Sequence, residues 1–329
     1  MRYIEAVRAQ GKNLRTSRAA VTDRLSSLDL APWRDRRLAL VGMGASSNAI
    51  AAVLGEYWSA GVRAASWLGS ELEQAGAAAD AEAVVAVSQT GKSAEIYSAL
   101  SRADCPRLVV TDVESSPIAG LAEATVPLAL LEDSEVRTIG YTGTVQALLL
   151  LRDALAASGG AAADWDAVAD EVERLLPEAE RLAERLLPGL AGMTAFDVVG
   201  SGVHAGTAAQ GALLLREVCK LPASGYETYQ YLHGPIEAAG PGRVLIAIGG
   251  AREAKLAASM AAAGATVLLI TSASAEAGAE PVFRLPELGP AAETVLGILP
   301  LQTITSALAI ESGLPDGEFR YHQDDTKVG

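Results

Sequence analysis

Six residues after one apolar run carry chemistry by their type and spacing. "AVVAV" is followed by Ser88-Gln89-Thr90-Gly91-Lys92-Ser93. This places three hydroxyls and a carboxamide where a strand gives way to a helix. Hydroxyls together with the free N–H groups of a helix N-terminus suit a terminal phosphate monoester. Gly91-Lys92-Ser93 also ends like a nucleotide-binding P-loop. A P-loop strand should stop near Ala86, whereas here the apolar run continues through Val87. A nucleotide would further need a metal-binding acid at a second strand end, and Asp112 in "VVTD" is placed for that. On these residues alone, both phosphate readings stay open.

A second set of residues suits proton transfer. The spacing predicts a helix from about Ala205 to Cys219, with Gln210, Leu214 and Glu217 on one stripe. Glu217 falls at the C-terminal end, where the helix dipole disfavours an anion. Apolar neighbours such as Leu213 and Leu214 add to this, so the carboxyl is expected to titrate high enough to act as a base. His233 precedes Gly234-Pro235, a rigid turn that suits projection of the ring into a site. His204 and His322 are read as structural. Lys327, in "DDTKVG", is on the residues alone a frayed lysine near a chain end.

These residues need a scaffold to hold them. Short apolar runs at 37–44, 83–88, 107–112, 195–202, 243–250 and 266–271 read as buried strands, with helical spacing between them. Strands alternating with helices imply parallel sheets covered on both faces. The chain also repeats itself. "LVGMGASSNAIAAVLGEYW" is similar to "VVGSGVHAGTAAQGALLLRE", with Gly42 matching Gly200. In both copies Gly-x-Gly closes a strand and opens a helix. Ser47 stands where a dinucleotide fingerprint needs a third glycine. The expected domains are 1–160, a connector at 161–190 and 191–329. The connector reads as an amphipathic helix pair around Pro177 with a solvated charged face.

"SQTGKSAE" and "GALLLREVCKLPASGYETYQYLHGP", in this order, resemble motifs of the double SIS (sugar isomerase) domain proteins. The resemblance covers about residues 35–327. It is similar to the isomerase portion of glucosamine-6-phosphate synthase and to related deaminases and deglycases. It implies an α/β fold of two tandem SIS domains, each a five-stranded parallel sheet flanked by helices. It also implies a sugar 6-phosphate held by Ser46, Ser88, Gln89, Thr90 and Ser93. That makes the phosphate a sugar's rather than a nucleotide's. Glu217 would move a proton between C1 and C2. His233 would open the ring from a neighbouring subunit, which implies a homodimer with shared sites. Lys327 matches the family's terminal lysine, which reaches the open-chain substrate. No cofactor and no metal is implied.

Several residues depart from the family pattern. Leu214 stands where the family often has lysine, Gln230 replaces an acid, Thr90 replaces serine and Lys92 replaces glutamate. These substitutions weaken the synthase-type reaction and leave the glutamate and histidine in place. The second copy has "GGAREAK" at the corresponding loop, without the hydroxyls, so one phosphate site per chain is expected. A glutaminase domain is not expected, since the first α/β unit begins near residue 35. The expected activity is amino-sugar-phosphate deaminase or aldose–ketose isomerase, resembling glucosamine-6-phosphate deaminase. The alternatives are a fructosamine-6-phosphate deglycase and a sensor that binds without turnover. Tyrosines in "IGYTG" and "SGYETYQY" stack on a sugar or pack an interface.

Composition excludes other classes. The net charge is −14 over 329 residues and there is no basic tail, which disfavours nucleic acid and anionic membrane as partners. Cys105 and Cys219 form no C-x-x-C and no cluster with histidine, so a zinc site is not expected. Two free thiols and an N-terminus without a signal-type apolar core suit the cytoplasm. The uncharged run 256–275 reads as helix, turn and buried strand rather than a membrane span.

Overall fold

The computed structural model describes residues 1–156, 163–272, 281–315, 317–323 and 325–329. By its contacts the chain divides into two compact units. The first comprises Lys12–Leu131, Ile139–Trp165 and Arg320–Gly329. The second comprises Met1–Gly11, Glu132–Thr138 and Asp166–Phe319. The C-terminal tail, grouped on sequence with the second half, therefore clusters with the first unit.

The first unit holds strands β1 (Leu38–Gly42), β2 (Ala64–Leu68), β3 (Ala83–Val87), β4 (Arg107–Thr111) and β5 (Ala124–Pro127). They form one sheet in the order β2-β1-β3-β4-β5, and every pairing is parallel. Parallel strands covered by helices must be apolar on both faces. Accordingly Leu38–Gly42 and Ala83–Val87 are buried along their whole length. Val41, Val84, Ala86 and Val109 pack with Ile96 and Leu100 of the helix Ala94–Ser101.

The second unit repeats this plan. Its strands are β6 (Ala195–Gly200), β7 (Ala223–Glu227), β8 (Arg243–Ile248), β9 (Thr266–Thr271) and β10 (Val282–Arg284). Their order is β10-β9-β8-β6-β7, all parallel, which is the first sheet's order read from the other edge. The duplication seen in the sequence extends to the backbone. Gly44 and Gly202 begin equivalent helices with near-identical angles, φ 53° and 57°, ψ −126° in both.

The connector differs from its expected form. It is one helix, Trp165–Leu190, with Pro177 and Pro188 inside it, rather than a pair broken at Pro177. Proline removes one backbone hydrogen bond and crowds the preceding turn. Here an apolar stripe of Val168, Val172, Leu175, Ala179 and Leu182 runs buried past Pro177 and holds the helix together. Residues 161–162 of the expected connector lie outside the described residues, as do 273–275 of the uncharged run. The rest of that run forms the end of the helix Ala251–Ala262, a turn and β9. One stretch, Pro290–Glu311, has the length and mean hydropathy (1.4) of a membrane span. It forms two helices, Pro290–Leu296 and Leu299–Glu311, mostly buried in protein.

Candidate functional site

The first unit gathers its hydroxyls at the carboxyl ends of β1 and β3. Gly42 ends β1, and a Cβ there would lie 2.8 Å from the Ser47 amide nitrogen. Gly44, at φ 53°, then starts the helix Ala45–Ser59 and puts Ser46 in its first turn. After β3 the chain turns through a bond from the Gly91 N–H to the Ser88 carbonyl (3.0 Å). Gly91 is in the left-handed region at φ 62°, and a side chain there would overlap Ser116 Oγ. Glycine at this position is thus required twice over.

This turn brings Ser88 and Ser93 together, with hydroxyl oxygens 3.2 Å apart. Ser93 is the N-cap of the helix Ala94–Ser101, yet its side chain caps no N–H of that helix. A serine at this position ordinarily does so. Gln89 is fixed from two sides. Its carbonyl accepts from the Asp112 N–H (3.0 Å) and the Thr111 hydroxyl (3.2 Å). Its carboxamide lies against Gly140, in the first turn of the helix Ile139–Leu155, where a Cβ would overlap it. Thr90 is half-buried beside it. The Asp112 carboxylate, the acid a nucleotide site would use, accepts from the Leu130 N–H (2.9 Å).

The C-terminal tail pairs with this loop. Lys327 pairs antiparallel with Ser93. The Ala94 N–H donates to the Thr326 carbonyl (3.0 Å), and the Val328 N–H to the Lys92 carbonyl (2.8 Å). Lys327 is therefore held by its backbone beside the Ser88–Ser93 loop, and its side chain is exposed.

The second unit carries the residues expected from the sequence to do acid–base work. The helix runs Val203–Glu217, so Glu217 is its last residue, as the helix-end argument requires. Burial pushes the Glu217 carboxyl up to about 7, against partial offsets from the positive charges of Arg216 and Lys220. Leu214 is fully buried one turn earlier. His233 caps the short helix Thr228–Leu232 and is exposed; Gly234, at φ 148°, and Pro235 turn the chain immediately after it. That helix is anchored at Tyr231, whose buried hydroxyl donates to Asp197 Oδ2 (3.3 Å) and whose ring lies 5.4 Å from that of Tyr226. Of the tyrosines in the two Tyr-rich segments, Tyr141 and Tyr231 are thus core residues, while Tyr229 is exposed.

At the same end of the second sheet, two carboxylates engage the hydroxyls. Buried Glu253 accepts from the Ser201 hydroxyl (2.9 Å), the Thr228 hydroxyl (2.6 Å) and the Gly250 N–H (2.9 Å). Glu293 accepts from the Ser272 hydroxyl (2.6 Å) and pairs with His204 Nε2 (3.0 Å). The bond to His204 comes first in holding the Glu293 carboxyl below its ordinary range. His204 is structural in this sense, and His322 is exposed in the tail. Sequence reasoning missed Glu253, Glu293 and Ser116. For Glu253 the signal was present as Gly-Gly-x-x-Glu, a carboxylate in the first turn of a helix.

No protein-family model matches the chain. Curated relatives do match. The glutamine–fructose-6-phosphate aminotransferase [isomerizing] of Leifsonia xyli is 27% identical over 255 residues, covering 70% of this chain and 41% of that protein. The Bacillus subtilis protein of the same name is 28% identical over 245 residues, covering 69% and 40%. The chain thus spans about two fifths of the length of the curated relatives it matches. Among solved structures, the C-terminal domain of the Francisella tularensis glucosamine-fructose-6-phosphate aminotransferase superposes with a TM-score of 0.81 at 18% identity, covering 96% of this chain and 98% of that one. The chain carries the double SIS-domain fold. Tagatose-6-phosphate ketose/aldose isomerase from Escherichia coli gives a TM-score of 0.78 at 18% identity, covering 98% and 97%. Glucosamine-6-phosphate deaminase from Thermotoga maritima gives 0.75 at 17%, covering 95% and 97%. Of the two motifs read in the sequence, the first falls on the loop after β3, and the second runs from the end of the helix Val203–Glu217 through β7 and the helix Thr228–Leu232 to His233.

Proposed function

We propose that this SIS protein is an aldose–ketose isomerase acting on an amino-sugar 6-phosphate as a deaminase, with glucosamine 6-phosphate as the leading substrate. The observation that carries the reading is Glu217, a helix-terminal carboxyl whose pKa of about 7 suits proton abstraction at neutral pH. The cradle of Ser46, Ser88, Gln89, Thr90 and Ser93 binds the 6-phosphate through hydroxyls and helix N–H groups. His233 passes the ring-opening proton, and Lys327 contacts the open chain. Glu217 then takes the C2 proton of the open 2-amino aldose and returns it to C1. The product is a C2 imine of the ketose. Water adds at C2, the C–N bond breaks, and ammonia and the ketose phosphate leave. The protein acts as a homodimer in which His233 serves the neighbouring subunit.

The test is release of ammonia and fructose 6-phosphate from glucosamine 6-phosphate, with Glu217→Gln as the control. Release of both, lost in the variant, supports the deaminase. Fructose 6-phosphate formation that persists in a folded Glu217→Gln protein overturns it. A second reading, binding without turnover, is favoured by Leu214, which leaves no cation one turn before the carboxyl. Saturable binding of sugar phosphates with no turnover of any of them would select it.

A further inference from the structure

Lys220 has a backbone that lysine rarely adopts. Its φ is 58°, in the left-handed region usually left to glycine. It lies in the turn that ends the helix Val203–Glu217, where the Leu221 N–H returns to the Leu215 carbonyl (3.1 Å). Glycine would close that turn without strain. The residue present instead carries an ammonium, and the ammonium is placed. Nζ donates to the Glu217 carbonyl and to the Glu318 carbonyl, the latter at 2.6 Å. A cation is thereby fixed at the negative end of the helix, on the residue that bears the carboxyl.

We propose that Lys220 is the positioning residue for Glu217, supplying from the C-terminal side the fixed positive charge that buried Leu214 does not supply from the N-terminal side. This deepens the reading of Glu217 as the base and rests on it for its catalytic meaning. Two charged groups act on the carboxyl. Arg216 is exposed, and its guanidinium donates to the Ala223 carbonyl (2.6 Å). Lys220 is half-buried and held at two points. Both favour the carboxylate against the desolvation that opposes it. Arg216 gives the larger offset, but Lys220 is half-buried and bonded at two points, so its charge is the less free to leave. The ammonium also ties the helix end to the 317–319 segment of the same unit, which keeps the carboxyl at a fixed point.

Lys220→Gly separates charge from backbone, because glycine suits the left-handed turn while removing the cation. In this variant the acid limb of the turnover pH profile should move up by about one unit. The rate at pH 7 should fall about fivefold and recover at pH 9, as expected for a base whose ionised fraction has dropped. KM at pH 9 should not change. Lys220→Arg should restore the wild-type limb. The Glu217 carboxyl carbon, followed by 13C NMR, should titrate higher by the same amount in Lys220→Gly. This signal is independent of turnover, so it decides the role of Lys220 even if every sugar phosphate proves inert and the isomerase reading fails. Lys220→Asn, which tolerates the same backbone region, serves if the glycine variant is unstable. Coincident titrations of Glu217 in wild type and in a folded Lys220→Gly or Lys220→Asn protein overturn the proposal.

Discussion

Ser93 and Lys327 are β-bridge partners, so the end of the chain is paired with the loop that carries the Ser88, Thr90 and Ser93 hydroxyls. The backbone bonds on either side, from Ala94 to Thr326 and from Val328 to Lys92, fasten the first helical turn after the loop. Removing residues 326–329 should therefore act on the loop as well as on the lysine. Amide exchange at Ala94, whose N–H loses the Thr326 carbonyl, should speed up in the truncated protein, since local protection follows local hydrogen bonding. Lys327→Ala keeps the backbone pairing and should leave that exchange unchanged while weakening sugar-phosphate binding. Equal exchange at the Ala94 amide in truncated and full-length protein would contradict the clasp.

The cradle itself makes a graded prediction. Ser88→Ala removes one hydroxyl from a preformed loop and should weaken phosphate binding by about 10- to 100-fold, the range for a hydrogen bond to a charged group. Gly91→Ala should do more and should also destabilise the fold. Its φ of 62° disfavours a side chain, and the new methyl would overlap Ser116 Oγ. A loss of about 2 kcal/mol or more is expected in urea denaturation. Gly91→Ala combined with Ser116→Gly should recover part of this loss, because the overlap is relieved and the backbone strain remains. Calorimetry with inorganic phosphate and with a sugar 6-phosphate reads the binding term.

Among the described residues, six of the ten strands are legible as apolar runs, and the four missed are the edge strands β2, β5, β7 and β10. An inner parallel strand is buried on both faces and reads as a continuous apolar run. An edge strand is short and partly open, and Ala-Ala-Ser-Trp-Leu or Val-Phe-Arg shows no such run. The duplication, the two Gly-x-Gly turns and the hydroxyl loop were readable because each depends on local geometry. The place of Lys327 was not. Nothing near it in sequence marks a pairing with Ser93, 234 positions earlier. Pro177 misled because proline is a local signal, while the apolar stripe that carries the helix past it extends over several turns.

In the second unit, Glu253 joins three turns through Ser201, Thr228 and Gly250. Thr228→Val keeps shape and burial but deprives this buried carboxylate of a donor. It should cost about 1–3 kcal/mol, read as a lower urea midpoint with an unchanged slope. Glu253→Gln should destabilise less, because its remaining oxygen can still accept from the Gly250 N–H while its NH2 faces the two hydroxyls, which must turn to accept. With these donors engaged internally, inorganic phosphate should bind with a stoichiometry of one per chain. A second site of similar affinity in the wild-type protein would contradict that arrangement.

Glu217 links the proposed chemistry to stability through pH. Its carboxyl is raised from 4.5 to about 7 in the folded protein, with burial as the main cause. A carboxyl raised on folding binds its proton more tightly in the folded state than in the unfolded one. Stability from this group is therefore fully present below about pH 4.5 and is lost as pH rises through about 7. Glu217→Gln is neutral throughout and lacks that loss. At pH 5 the variant and wild type should melt at nearly the same temperature. At pH 8 the variant should be more stable by about 2 kcal/mol, after discounting for partial exposure, which raises Tm by about 4–8 °C. The difference between the two proteins, rather than either curve alone, isolates this residue from other titrating groups. A variant that is inactive and yet more stable above neutrality has a carboxylate buried at a cost to the fold, as a base kept for proton transfer would be. A stability difference that does not change between pH 5 and pH 8 would mean that the Glu217 carboxyl titrates alike in the folded and unfolded chain, and the case for it as a base near neutrality would fall with it.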